Sequence, residues 1–134
     1  MVTRLADQTI AVATRVRGLR GATTVPADDP AQIQRAVREL IDALVAANAL
    51  EPDHILSAIF SATPDVRSLY PAAVARAAGW SDVPMLCVAE MDVPGSLARC
   101  VRVILHVALD ADRSPRHVYL HEARALRPDW AAAS

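Results

Sequence analysis

The chain contains no lysine; all 14 of its basic residues are arginines. Arginine holds carboxylates in a planar, two-pronged geometry that lysine cannot copy. Aromatic residues make up only 4 %, which leaves the core to Ala, Val, Leu and Ile. The net charge is −1, so no overall field draws the chain to nucleic acid or to an acidic membrane surface, and neither is an expected partner. Any anion site must come from a local cluster. The two cysteines, Cys87 and Cys100, lack metal-ligand spacing and are too few for a secreted disulfide scaffold, although their separation could close one bridge. No uncharged apolar run approaches the roughly 18 residues that span a bilayer. Asp7 and Gln8 interrupt the apolar stretch near the start, so no signal peptide is expected and the cytoplasm is the expected compartment. Repeats, low-complexity tracts and linkers are missing too. With 53 % hydrophobic and 22 % charged residues in 134, residues 1–134 are expected to form a single folded domain.

What is present reads as strands and helices in turn. Residues 1 to about 8 show no clear period and are expected to be a loose leader. From Thr9 to Arg20 the residues alternate as in a strand. Ile10, Val12, Thr14, Val16, Gly18 and Arg20 share one parity; Arg15, Arg17 and Leu19 share the other. Arg20 therefore falls with the apolar set. The stretch ADDPAQIQRAVRELIDALVAANAL is the clearest helix, with Asp29 as its cap, Pro30 in its first turn and Ile33, Val37, Leu40, Ile41 and Leu44 at helical spacing. Strands are expected in HILSAIFSA, VPMLCVAEMDV and RCVRVILHVAL, and a short helix from Pro71 to Gly79. RHVYLHEARALRPDW mixes a short extended piece with a tail. This order predicts an α+β domain in which helices pack on one face of a mixed, mainly antiparallel sheet.

Charges then fall where a core is expected. On the strand from Arg99 to Leu109, Val101, Val103, Leu105, Val107 and Leu109 form an unbroken apolar face; Cys100, Arg102, Ile104, His106 and Ala108 form the other. Taken alone, that second face reads as an open sheet surface with one exposed arginine. Glu90 shares parity with Leu86 and Val88, so its carboxylate meets water at a strand end or is buried with a partner, since an unpaired buried charge costs several kcal/mol. Gly18-Leu19-Arg20-Gly21 matches the GxxG of a KH loop only formally, because that loop joins two helices and this one follows a strand. It is not the GxGxxG of a dinucleotide site. His54, His106, His117 and His121 lack zinc-ligand spacing, and Ser61 lacks a nucleophile elbow. Arg20, Arg102 and Glu90 on strands, Tyr119 in HVYL and Arg127 in the tail remain. They suit a small polar anion such as a dicarboxylate, and a reaction that needs only positioning and charge stabilisation.

The motifs RGLRGATTV, SATPDVRSLYPAAVAR, GWSDVPMLCVAEMDVPGSLARCVRV and RHVYLHEARALRPD resemble the monofunctional chorismate mutases of the Bacillus type (the AroH class), from about Arg17 to Asp129. The resemblance implies isomerisation of chorismate to prephenate by a concerted Claisen rearrangement, with no metal or cofactor. It implies a homotrimer of pseudo-α/β-barrel form, with active sites between subunits, and treats residues 1–13 as an extra leader and 128–134 as a tail. It sets Arg102 against the ether oxygen, Glu90 against the ring hydroxyl, Arg20 and Tyr119 against carboxylates, and Cys87 near the ring hydroxyl. Tyr70, Ala72, Arg76, Met85, Leu86, Leu126 and Arg127 match further substrate-binding positions. Two departures stand out: Tyr70 replaces the usual Phe, and Ala73 stands where some members carry a basic residue. Strand parity sets Cys87 and Glu90 on opposite faces, so either a bulge intervenes or they belong to different clefts. Two rival readings are an imine or enamine deaminase on a similar trimeric scaffold, and a non-catalytic binder of an aromatic-pathway metabolite.

Overall fold

The computed structural model describes residues 2–5, 8–11 and 13–131, with side chains from residue 13 onward. Strands β1 (Val2–Leu5) and β2 (Gln8–Ala11) pair antiparallel as a separate two-stranded ribbon. The segment expected to be a loose leader thus carries structure, and the strand expected from Thr9 to Arg20 is divided between β2 and β3 (Thr14–Thr24). The partner strand sets the bounds of β3. It pairs with β6 (Cys100–Asp110) along its whole length, from Thr14 opposite Asp110 to Thr24 opposite Cys100. Sequence alternation faded after Arg20 because residues 21–24 are buried on both faces.

The main sheet has five strands in the order β5-β4-β6-β3-β7, where β4 is Ile55–Ala62, β5 is Met85–Ala89 and β7 is Val118–Tyr119. β6 lies antiparallel to both β3 and β4, whereas the outer pairs β4/β5 and β3/β7 are parallel. The fold is the expected α+β class with a mixed sheet. β5 is shorter than the expected run because it ends where its neighbour does, with Ala89 opposite Ala62.

Helix α1 (Pro30–Asn48) begins as expected. Asp29 Oδ2 accepts a bond of 3.1 Å from the Gln32 amide, and Pro30 opens the first turn. Its stripe of Ile33, Val37, Leu40, Ile41 and Leu44 is fully buried against the sheet, each side chain contributing about 1.5–3 kcal/mol of burial. The opposing surface is Leu19, Ala58, Phe60, Val101, Val103, Leu105, Val107 and Leu109. Gly21 of β3 lies directly under the helix: a Cβ there would come within 2.9 Å of Leu44 Cδ1 and 3.2 Å of Leu40 Cδ1. The helix stops at Ala49, which adopts φ 49° and returns its N–H to the Val45 carbonyl. Buried Asn48 then accepts from the Arg116 amide at 2.7 Å and donates to its carbonyl at 2.9 Å, tying the loop before β7 to the helix end. The short helix α2 (Pro71–Ala77) adds Ala72, Val74 and Ala75 to the same core.

The opposite face of the sheet is left largely open. It presents Val16, Gly18, Arg20 and Ala22 of β3, Cys100, Arg102, Ile104 and His106 of β6, Ser57, Ile59 and Ser61 of β4, and Leu86 and Val88 of β5. Arg20 does sit opposite to Leu19, as parity required, but its companion Val16 belongs to this open face and not to the core. At the β7 edge a 3-10 helix (His121–Leu126) and helix α3 (Pro128–Ala131) fold back over the face. They close a second, small cluster of Ala22, Cys100, Tyr119 and Ala123, with Leu97 and Trp130 packed against it.

Candidate active site

Strand register places the site. Tyr119, Ala22, Arg102, Ser61 and Val88 lie opposite one another in a single row across all five strands. Ala22 leaves open the space between Tyr119 and Arg102. Arg20 stands two residues from Ala22 on the same face, and Glu90 two residues beyond Val88. The Glu90 amide still bonds the Ala62 carbonyl at 3.0 Å, which keeps it in the pleat and aims its side chain across β4. A carboxylate and a guanidinium from separate strands meet there because β4, between them, offers only the small side chain of Ser61.

The contact is bidentate. Arg102 Nε donates to Glu90 Oε2 at 2.7 Å, and Nη2 donates to Oε1. Ser61 Oγ donates to the same Oε2 at 2.5 Å. These bonds, Arg102 foremost, hold the Glu90 carboxyl below the usual glutamate range against the opposing effect of burial, and Arg20 adds to the shift. The Glu90 bond in turn raises the Arg102 pKa. Arg20, Ser61, Glu90 and Arg102 line one cleft of about 320 Å³, floored by Ile59, Val103 and Ile104. Among the described residues no carboxylate pairs with Arg20.

Tyr119 borders this cluster but is fully buried, and its hydroxyl has no hydrogen-bond partner among the described residues. Burial raises its pKa, while Arg20, Arg127 and Arg102 pull the other way. Beside it, the Arg20 amide donates to His117 Nδ1 at 2.9 Å, which fixes that ring nitrogen as an acceptor and the imidazole as neutral. Burial, then Arg20, Arg127 and Arg17, hold the His117 pKa down. The His117 ring stacks on Trp130 with centroids 3.8 Å apart, and the Arg127 guanidinium lies 3.4 Å over the indole while pairing with Asp129 at 2.8 Å. Leu126 is partly exposed just before it.

Cys87 is not in this cleft. It faces the helix side of β5 with Met85, both packed in part against the main core. It lines a second cleft of about 570 Å³ with Thr63, Arg67, Ser68, Tyr70, Pro71 and Val88. Within one chain, then, the opposite-face reading of Cys87 and Glu90 corresponds to two clefts. Tyr70 projects from the second with 75 % of its surface exposed; Ala72 is buried in α2 behind it, and Arg76 is exposed on the same helix. Leu86 lies on the open face, exposed. The loop that carries Tyr70 is clamped at two points. Asp28 Oδ1 accepts from the amides of Arg67 and Ser68, both at 2.9 Å, and from Ser68 Oγ at 2.7 Å, which lowers its pKa. Asp65 is pushed up by burial, yet bonds from Thr63 Oγ and the Arg99 amide hold its pKa low overall.

The cysteines are unbridged, and burial pushes the Cys100 thiol up to about 11. Among the described residues no cluster of three His, Cys, Asp or Glu could hold a metal ion, and no helix is long and apolar enough to cross a membrane. Sequence reasoning weighed Ser61 only as a nucleophile and missed its contact with Glu90. It gave His117 no role beyond a structural one. Both contacts depend on register between strands far apart in sequence, for which the chain carries no local signal.

Residues 16–130 match the family model described as chorismate mutase type I. The chain is 43 % identical over 120 residues to chorismate mutase AroH of Thermus thermophilus, covering 88 % of this chain and 98 % of that one. It is 40 % identical over 116 residues to chorismate mutase AroH of Bacillus subtilis, covering 85 % and 91 %. A solved chorismate mutase from Clostridium thermocellum superposes with a TM-score of 0.77 at 39 % identity, covering 82 % of this chain and 99 % of that one. The matched span takes in the main sheet from Val16 of β3 onward, α1, α2, the tail as far as Trp130 and both clefts, and on these grounds the chain belongs to the type I chorismate mutase family.

Proposed function

We propose that Arg102, Glu90, Arg20 and Tyr119 form one half of an active site that converts chorismate to prephenate on the route to Phe and Tyr, and that the cleft of Cys87 and Tyr70 forms the other half in a neighbouring subunit of a homotrimer. The observation that carries the reading is the Arg102–Glu90 pair on an uncovered sheet face, with Arg20 one strand away and no carboxylate paired with it among the described residues. That face also exposes Val16, Ile59, Leu86 and Val88, apolar surface that a second copy of the chain would cover.

The chemistry asks for no nucleophile. A concerted rearrangement breaks the C–O bond as the new C–C bond forms, so catalysis reduces to holding the reactive diaxial shape and complementing charge as it develops. Of the five N–H donors of Arg102, two engage Glu90, and the others are available to the ether oxygen as it gains negative charge. Glu90, ionised by its donors, accepts from the ring hydroxyl and lies near the positive allyl-like portion. Arg20 and the Tyr119 hydroxyl, unpartnered among the described residues, take the carboxylates. Two full charges about 4 Å apart interact by about 4 kcal/mol at an effective dielectric near 20; a partial charge gains in proportion, and the guanidinium is already aimed.

The test is to incubate the purified protein with chorismate, without added metal, and follow the loss of diene absorbance and the appearance of prephenate. Light scattering on the same sample gives the assembly state. Saturable conversion by a trimer supports both parts of the reading. Conversion by a protein that stays monomeric at every concentration would sink the shared-site part. A folded trimer that binds chorismate without converting it would favour the metabolite-binding reading.

A further inference from the structure

We propose that Ser61 is a positioning residue for this reaction: its hydroxyl holds the Glu90 carboxylate in the orientation in which the carboxylate can serve the substrate and Arg102 together. The inference rests on the role given to Glu90 above.

Three bonds converge on Glu90, from three side-chain atoms on two strands. Arg102 supplies Nε and Nη2 from β6, and Ser61 supplies Oγ from β4. Arg102 alone leaves the pair free to swing as a unit about two long side chains. Ser61 removes that freedom, because its side chain has a single rotor and stands directly opposite Arg102 in the strand register. Its bond goes to Oε2, the oxygen that Arg102 Nε already holds, so Oε1 carries only the Nη2 contact. A carboxylate has about four acceptor positions; three are filled here, and the remaining one lies on the less crowded oxygen. The hydroxyl therefore sets which oxygen is presented to a substrate donor. Other ionisable groups around Glu90 are Arg20 from β3 and Arg102 and Cys100 from β6. Arg102, its pKa raised by Glu90, stays charged throughout the working pH range, and the thiol, pushed up to about 11, stays neutral. The carboxylate is thus the group whose titration Ser61 governs: a donor to the ionised form lowers its pKa, and loss of that donor raises it.

The experiment compares the parent with Ser61→Ala, Ser61→Thr and Glu90→Gln, measuring kcat, KM and the pH dependence of kcat/KM down to its acid limb. Ser61→Ala is expected to lower kcat roughly tenfold, the worth of one hydrogen bond to a charged group, with KM changed by less than about threefold. Its acid limb moves to higher pH. Ser61→Thr, which keeps the hydroxyl and suits a strand, restores both kcat and the limb. Should Glu90→Gln lose activity while Ser61→Ala keeps the parent's kcat and acid limb, the positioning role is overturned and that of Glu90 stands. Should Glu90→Gln itself match the parent, the Glu90 assignment fails and the proposal falls with it. A loss in Ser61→Ala that Ser61→Thr does not repair, with the limb unmoved, also overturns it, since only packing would then have changed.

Discussion

The two faces of one sheet are built from the same strands, yet they answer different demands. On the covered face, Val101, Val103, Leu105, Val107 and Leu109 alternate without a break and meet the stripe of α1. On the open face the same β6 presents Cys100, Arg102, Ile104 and His106, with polar groups bonded in pairs: Arg102 to Glu90, and Ser57 Oγ with His106 Nδ1 at 2.9 Å. The covered face is redundant. Many side chains share its burial, and their interchange is limited only by volume. On the open face Arg102, Glu90, Ser61, Ser57 and His106 each have one or two named partners, so their substitutions should cost function and spare the fold.

The sharpest test of that division is a pair of substitutions on the two faces of β6. Leu105→Ala, in the covered face, removes a fully buried side chain and is expected to cost about 3 kcal/mol in urea unfolding, with kcat per folded subunit unchanged. Arg102→Ala, on the other face, is expected to lower turnover by at least roughly 100-fold, as for a lost oxyanion donor, equivalent to about 2.7 kcal/mol of barrier. Its unfolding midpoint should move little, because Glu90 keeps Ser61 and access to water. A loss below about tenfold in an intact fold would remove Arg102 from its assigned role. If Arg102→Ala instead unfolds the chain, the division between the faces is wrong.

Gly21 sharpens the comparison from the covered side. It sits in the same strand as Arg20, one residue away, yet it faces Leu40 and Leu44 of α1. Gly21→Ala would drive its Cβ against Leu44 Cδ1, the tip of a flexible side chain, and is expected to destabilise by about 1–2 kcal/mol, as overpacking does. Because β3 carries Arg20, a helix pushed outward would leave the open face in place, so KM for chorismate should hold. A rise in KM as large as that for Arg20→Ala would show that the two faces are coupled through the strand.

How much of this was legible in the sequence follows from what alternation can and cannot report. Parity separated Val101 from Arg102 and Leu19 from Arg20, since a strand has only two sides. It also separated Cys87 from Glu90, which the structure assigns to different clefts within one chain. Parity did not say which side was core. Arg20 travelled with Val16, and the apolar character of Val16 is a property of the open face. Alternation also overran the break after Ala11 and stopped short of Thr24, because strand ends are fixed by the partner strand and not by the residues themselves. Ser61, finally, became informative only once register placed it opposite Arg102. Nothing in HILSAIFSA points to a carboxylate 29 residues further on.

The smallest expected effect tests the part of the open face that is not open. Ala22, Cys100, Tyr119 and Ala123 form a second core where the tail brings Trp130, and the loop before β6 brings Leu97, against them. Trp130 reaches this cluster through ring contacts, stacked on His117 and tilted toward Tyr119 at 5.8 Å, and helix α3 has only four residues to hold it. A segment with so few buried neighbours opens locally at far lower free energy than the main core, which opens only with the whole chain. Cys100 reports the difference. Buried, with its thiol pushed up to about 11, it should resist alkylation at neutral pH in the parent protein. Trp130→Ala should leave global stability within about 0.5 kcal/mol, as for a surface change, yet speed the alkylation of Cys100 severalfold, read by mass spectrometry of the labelled peptide. Leu105→Ala, although far more damaging to unfolding, should accelerate that same labelling less under native conditions, because its cost falls on the global transition and not on the tail. If both variants label Cys100 in proportion to their loss of global stability, the second cluster is no separate unit and the sheet has one core seen from two sides.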